Sequence, residues 1–454
     1  MMRPLLMASL ACYMCVLAGV CWAQDGSQAA TAPAQRALGP AGTTAPGGDY
    51  YPGAQEQIVD DGFAHDGYAG MGYDSFGNGV CGPCGFGLPN GVWSRVEYLV
   101  WGTKGMSVPA LVTTSPPTTD RENAGVLGED GTEILFGTGT INSRARSGGR
   151  LVLGTWIDGC QQLGVEGDYF ALHDLDRNFR QSSGGATILA RPFFDVLQGT
   201  DSASLVAFPN LIQGRVDVDA VTRFQGAGLR AIINVHRGQR SGMGWFTGCP
   251  VETDVRQDLV VGYRFLRLDD ELTITEQETS LDSTTPGSFF IQDRFRSENQ
   301  FHGMDLGTIT HFQRGCWSFD LLSKLAFGNV RSVARIDGGS VISDDGDAEA
   351  SVGGLLAQRS NIGEYRNDAF AMAPELGFTV GYQVNPCWRM TAGYTFLYWS
   401  RVFRAGDQID LDVNPDLLPP EEDEVTEGLR PRFRGFASDD FWAQGLTLGL
   451  EGTW

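Results

Sequence analysis

Thirteen ionisable residues occupy the polar phase of segments whose alternate positions are apolar. They are Arg95, Glu97, Glu166, Asp168, Arg230, Arg256, Asp258, Arg264, Asp305, Asp320, Lys324, Glu375 and Arg389. Both signs are interspersed. If these residues share one enclosed lumen, two chemistries are open to them. Opposed rows of charge orient a small polar solute passing between them, or the rows pair with each other and zip the space shut, as side chains do in small barrels. Catalysis has less to work with. His173 and Asp174 are neighbours, but the other histidines (His65, His236, His302 and His311) supply no second acid–base partner with a definite place beside them. The chain therefore reads as no enzyme, with a rim-site hydrolase as the weaker alternative.

Six cysteines follow residue 23: Cys81, Cys84, Cys160, Cys249, Cys316 and Cys387. Cys81-Gly82-Pro83-Cys84 has the spacing of a redox loop, but glycines follow where a helix would have to begin. No histidine stands at a zinc-ligand offset, so no metal or cofactor is expected. Disulfides among the six are expected instead, in an oxidising compartment, with the pairing left open. Asp344-Asp345 and Glu421-Glu422-Asp423-Glu424 read as solvated acidic faces, and secondarily as a weak calcium contact.

Strands must position these groups, because successive side chains of a strand alternate between its two faces. Val96, Tyr98 and Val100 oppose Arg95 and Glu97; Leu163, Val165, Tyr169 and Ala171 oppose Glu166 and Asp168; Leu229, Ala231, Ile233 and Val235 oppose Arg230. The same pattern returns at 255–268, 303–312, 317–327, 370–384 and 388–398. It closes on Trp442, Leu446, Leu448 and Leu450, which oppose Ala443, Gly445, Thr447 and Glu451. The segment 150–157 has mixed faces. About ten strands result, and the length of 254–279 and 289–312 leaves twelve open.

The totals agree. The chain of 454 residues is 42% hydrophobic, so it can bury a large core. Its net charge of −22 excludes nucleic acid as a partner, since phosphate backbones need a basic surface. Met1 to Ala23 has the form of a secretory signal. Residues 24–90 are rich in Gly, Ala and Pro and read as a flexible periplasmic leader, leaving 91–454 for the folded part. No later run reaches the ~18 apolar residues of a membrane-spanning helix, so a membrane location requires strands.

The connections sort by length. Long ones at 104–149, 173–216, 276–288, 336–367 and 404–439 alternate with short ones at 158–162, 236–254, 313–316 and 385–387. Long external loops and short periplasmic turns are the asymmetry of outer-membrane barrels. The reading is an all-β, antiparallel transmembrane β-barrel in the bacterial outer membrane. Its partners are the lipid bilayer and the barrel-assembly machinery, which engages the C-terminal strand; oligomeric state is not legible. All six cysteines fall at the periplasmic end. Trp317 and Trp388 fall at the inner aromatic girdle, and Trp101, Tyr398 and Trp399 near the outer one. Leu111-Val112, Val126-Leu127 and Ile134-Leu135-Phe136 are too apolar for a solvated loop, so Val108 to Gly137 is expected to fold into the mouth or lumen as a plug.

Several stretches carry a family likeness: Trp93-Ser-Arg-Val-Glu-Tyr-Leu-Val-Trp101 with Lys104-Gly105, Pro109 to Pro116, Ala124 to Gly128, Ile134 to Gly137, and Phe441 to Glu451. In these the chain resembles the bacterial putative β-barrel porin family seven, from about residue 92 onward. The resemblance implies an outer-membrane barrel and brings no catalytic residues with it. The function expected is a narrow or partly plugged porin-like channel for small polar solutes. A structural or adhesive barrel presenting acidic loops is the alternative.

Overall fold

The computed structural model describes residues 91–243, 250–282, 286–344, 347–419, 429–437 and 439–454. The expected signal and leader, Cys81, Cys84, Cys249 and the acidic run at 421–424 lie outside the described residues.

Ten strands form a wall: β1 (Val92–Thr103), β2 (Arg146–Trp156), β3 (Leu163–Leu172), β4 (Ile212–Met243), β5 (Pro250–Ser280), β6 (Gly287–Arg314), β7 (Trp317–Asp344), β8 (Gly363–Asn385), β9 (Trp388–Val402) and β10 (Asp439–Thr453). Each is antiparallel to the next. The ring closes where β1 meets β10, from Trp93↔Thr453 to Thr103↔Ala443. Closure leaves the wall no edge, the condition for strands to cross a bilayer with their backbone groups satisfied. The ten-strand antiparallel barrel expected from the alternation is the fold observed.

Two more strands bring the sheet to twelve without entering the ring: Leu175–Ser183 lies on β4, and Asp347–Val352 lies on β7. The four strands β4 to β7 run for 32, 31, 28 and 28 residues. A tilted crossing needs only ~9–11. Their surplus does not double back as further crossings. Most of it stands up as a tall extension at the long-loop end, and a shorter part of β4 and β5 (His236↔Gln257 to Met243↔Pro250) runs on at the short-turn end. The strands take up most of the long loop expected at 276–288, β5 ending at Ser280 and β6 beginning at Gly287.

The outer face marks where the lipid ends. Below the boundary β7 turns Trp317, Phe319, Leu321, Leu325 and Phe327 outward, and β10 turns out Leu446, Leu448 and Leu450. Above it the same faces carry Arg267, Asp269 and Glu271 on β5, Arg294 and Arg296 on β6, and Arg331 and Arg335 on β7. Trp317 packs on Tyr382 at 5.0 Å and Trp388 on Trp454 at 5.8 Å, both at the short-turn end. Trp101 and Trp399 do not join an outer girdle. Their positions share the parity of the inward residues, and both rings are fully buried inside the barrel.

Cys160 and Cys316 carry free, exposed thiols, so the disulfides expected at these two turns are not formed. Each sits in a turn between neighbouring strands, and the two turns stand three strand spacings apart around the ring. At ~4.8 Å per spacing that is beyond the reach of a disulfide. Cys387 is not a free thiol.

Candidate functional site

The interior of the barrel is filled in three tiers. The lowest, toward the short turns, is made of charge, and every wall strand contributes to it. Glu166 accepts from Trp93 Nε1 at 3.0 Å and from Arg230 at 2.7 Å, and Arg230 also reaches Asp168 at 2.8 Å. Arg230 and Arg264 share Asp305, each at 3.9 Å. Lys324 lies between Asp305 and Glu375, at 3.4 and 3.1 Å, and Arg264 also pairs with Glu375. Arg150 carries the chain of contacts on from Glu375 to Glu97, 3.4 Å away; Arg95 joins Glu97 at 2.8 Å to Glu451 at 3.2 Å. Arg389 bridges Glu451 and Asp320 at 3.2 and 2.9 Å, and His311 links Asp320 to Asp258, which Arg256 also holds at 2.7 Å.

The structure thus brings all thirteen sequence-derived residues into one connected network, and adds Arg150, Glu451 and His311. Register finds two of the three: Glu97 sits opposite Arg150, and Arg95 opposite Glu451. His311 follows from parity, since it shares the inward phase of Asp305. Seven guanidinium and ammonium groups face eight carboxylates, with His311 between two of them. Near-balance is required there, because an unpaired charge out of water costs several kcal/mol.

The middle tier is an apolar septum that the sequence reading did not contain. Leu99, Trp101, Phe170, Phe224, Leu266, Phe301, Leu397, Trp399 and Phe441 point inward and are fully buried. Phe224 meets Phe441 edge-on at 4.8 Å and Phe170 at 5.3 Å. Arg150 lies over the Trp101 ring at 5.1 Å, so the charged tier and the septum are stacked directly on each other. The septum could have been inferred: Leu99 and Trp101 continue the inward phase of Arg95 and Glu97 on β1.

The upper tier fills the extension with chain rather than side chains. Val108, Leu111, Val112 and Phe136 pack against Val216, Val218, Leu272, Ile274 and Phe295 on the inner face of the extension. Ile134 and Leu135 of the same loop remain exposed. Leu189, Leu355 to Ala357, Ala405 and Ile409 complete the plug. Buried polar pins fix it to the wall. Arg404 reaches Asp270 at 2.5 Å and the carbonyls of Lys104 and Gly105 at 3.2 and 3.1 Å. Asn299 clamps Phe403 on both sides: its amide donates to the Phe403 carbonyl at 2.7 Å, and its oxygen accepts from the Phe403 N–H at 2.8 Å. Arg191 pairs with Asp293 at 2.7 Å and with Glu276. A Cβ on Gly406 would stand 2.0 Å from the Ser107 carbonyl, so only glycine lets these two plug segments meet.

Two carboxyls in this upper tier are shifted. Burial, reinforced by Glu276, pushes Glu278 up to about 10. Burial, reinforced by Asp439, raises Asp407 to about 6. At the rim Asp174 pairs with Arg223 at 2.9 Å, not with the adjacent His173.

With this geometry in place, comparison with known families is informative. The family described as Putative beta barrel porin-7 (BBP7) matches residues 93–454. The chain belongs to that family. The family is one of outer-membrane β-barrels, which makes the lipid bilayer the surrounding of the belt described above. Among solved structures, the crystal structure of the P. putida toluene transporter TodX is similar at 11% identity, covering 81% of this chain and 91% of that one, with a TM-score of 0.21. A bacterial polysaccharide outer membrane secretin is similar at 6% identity, covering 81% and 99%, with a TM-score of 0.14. No curated protein sequence matches the chain.

Proposed function

We propose that this member of the porin family is a narrow channel for small polar solutes, held closed by its own interior, and that it is not an enzyme. The short turns lie in the periplasm and the extension stands outside the cell. The barrel-assembly machinery receives the chain through β10, and periplasmic disulfides involve Cys387 together with the cysteines at 81, 84 and 249. One observation carries the reading: the plug is chain folded back from long loops onto the extension, fixed by a few buried polar pins. Such a plug can leave without dismantling the wall. The charged tier beneath it offers donors and acceptors of both signs, which suits small polar solutes better than apolar ones.

Planar-bilayer recording on refolded protein tests this. The wild type should be silent or nearly so, and deletion of 108–137 combined with Trp101→Ala and Trp399→Ala, which thin the septum beneath the plug, should produce discrete conductance steps. A second reading, a purely structural surface barrel, is favoured by the apolar septum, which the plug deletion leaves in place. If this variant stays silent while folded, the channel reading fails and the structural one stands.

A further inference from the structure

Outside the wall, a groove of about 210 Å³ is lined by Glu298, Gln300, Arg331, Val333, Arg335, Glu364 and Arg366. It crosses β6, β7 and β8 on their outward faces. Its lowest row, Gln300↔Arg331↔Asp368, lies two outward rows above Met304↔Phe327↔Met372, which belongs to the lipid-facing belt. The groove therefore starts where the hydrocarbon stops. Three guanidinium groups line it against two carboxylates, on a chain whose net charge is −22. Arg335 and Arg366 both lean on Glu364, at 2.7 and 2.6 Å, while Glu298 holds Gln300 and, at 3.4 Å, Arg267. The Arg331 side chain is exposed and has no hydrogen-bond or ion-pair partner among the described residues.

We propose that this groove binds the phosphorylated saccharide headgroup of an outer-leaflet glycolipid. A planar guanidinium presents parallel N–H groups that match two phosphate oxygens, and Arg331 has all of its donors to give. Arg366, one pleat higher on the neighbouring strand, supplies a second contact. Glu298, Gln300 and Glu364 offer acceptors and a donor to sugar hydroxyls over the apolar floor of Val333. The acyl chains then run down the wall over Phe327, Phe370 and Met372. A soluble partner would gain nothing from this continuity with the lipid belt.

The test uses detergent-purified full-length protein and native mass spectrometry with three probes: diphosphoryl lipid A, the same lipid with its phosphates removed, and phosphatidylglycerol. Wild type should retain the diphosphoryl lipid, and R331A and R366A should each weaken retention by about tenfold, the size of one charge-assisted contact. R223A, at a similar height on β4 but outside the groove, should change nothing. Equal retention of the dephosphorylated lipid, equal retention of phosphatidylglycerol, or indifference to both groove variants overturns the proposal. All variants are surface changes, and unchanged heat-modifiable migration confirms that each is folded.

Discussion

The strands β4 to β7 build two rooms with one wall, and the rooms are furnished by opposite means. In the lipid-crossing part, inward side chains reach across to each other and fill the space as ion pairs capped by aromatic rings. In the extension, the inward side chains are mainly apolar (Val216, Val218, Leu272, Ile274, Phe295) with a few buried pins such as Asp270, Asp293 and Asn299, and the space is filled by chain segments that entered from the loops. Outside, the contrast is reversed: the lower face is greasy, and the upper face carries half-exposed pairs such as Arg294–Glu271 at 3.0 Å. Alternation therefore sets which way a residue points, whereas the medium or chain beyond it sets what kind of residue it must be.

Four experiments break or sharpen that contrast. The largest effect should come from Glu375→Ala, which leaves Arg264, Lys324 and Arg150 without their shared acid. A loss of about 3–5 kcal/mol is expected in urea unfolding from lipid, and a loss under 1 kcal/mol would mean that the lower tier is not held by its pairs. Next, Leu448→Arg puts charge on the lipid face and should cost about 2–4 kcal/mol by the same measurement. A neutral result would mean that this face does not meet hydrocarbon.

The third concerns pH and the upper room alone. Glu278 keeps its proton in the folded protein up to about pH 10, whereas the unfolded chain releases it near the ordinary glutamate value of 4.5. The folded state thus binds the extra proton throughout that window. The contribution is full below 4.5 and is lost as pH rises toward 10. Glu278→Gln should flatten this slope, and an unchanged slope would place the titration elsewhere. Smallest of all, Arg294→Ala removes a half-exposed pair, leaves Glu271 with Arg296 at 3.7 Å, and should shift stability by no more than about 0.5 kcal/mol.

Much of the lower room was legible. About ten strands, with twelve left open, followed from the alternation, and the thirteen charged residues lie in one network. Arg150 was hidden because its segment mixes faces: Leu151 and Leu153 point out while Val152 is buried inside. Trp101 and Trp399 were misplaced because nearness to a strand end was weighed above parity, and parity is the harder constraint. The upper room was legible only in part. Apolar runs in the first long loop signalled a plug, but the inward phase does not distinguish a strand that crosses lipid from one that continues above it. That distinction lies in the outward phase, where Phe265 gives way to Arg267 and Phe327 to Arg331.

The near-balance of the lower tier has a consequence for how the protein meets its medium. Seven cations against eight anions leave one excess negative charge there when His311 is neutral, so almost all of the net −22 is carried elsewhere on the chain. Dissolved ions damp fields beyond about 8 Å at physiological strength, but they act on what water can reach. Brine and fresh water should therefore alter how the molecule repels its neighbours, while leaving the bonds across its waist almost untouched.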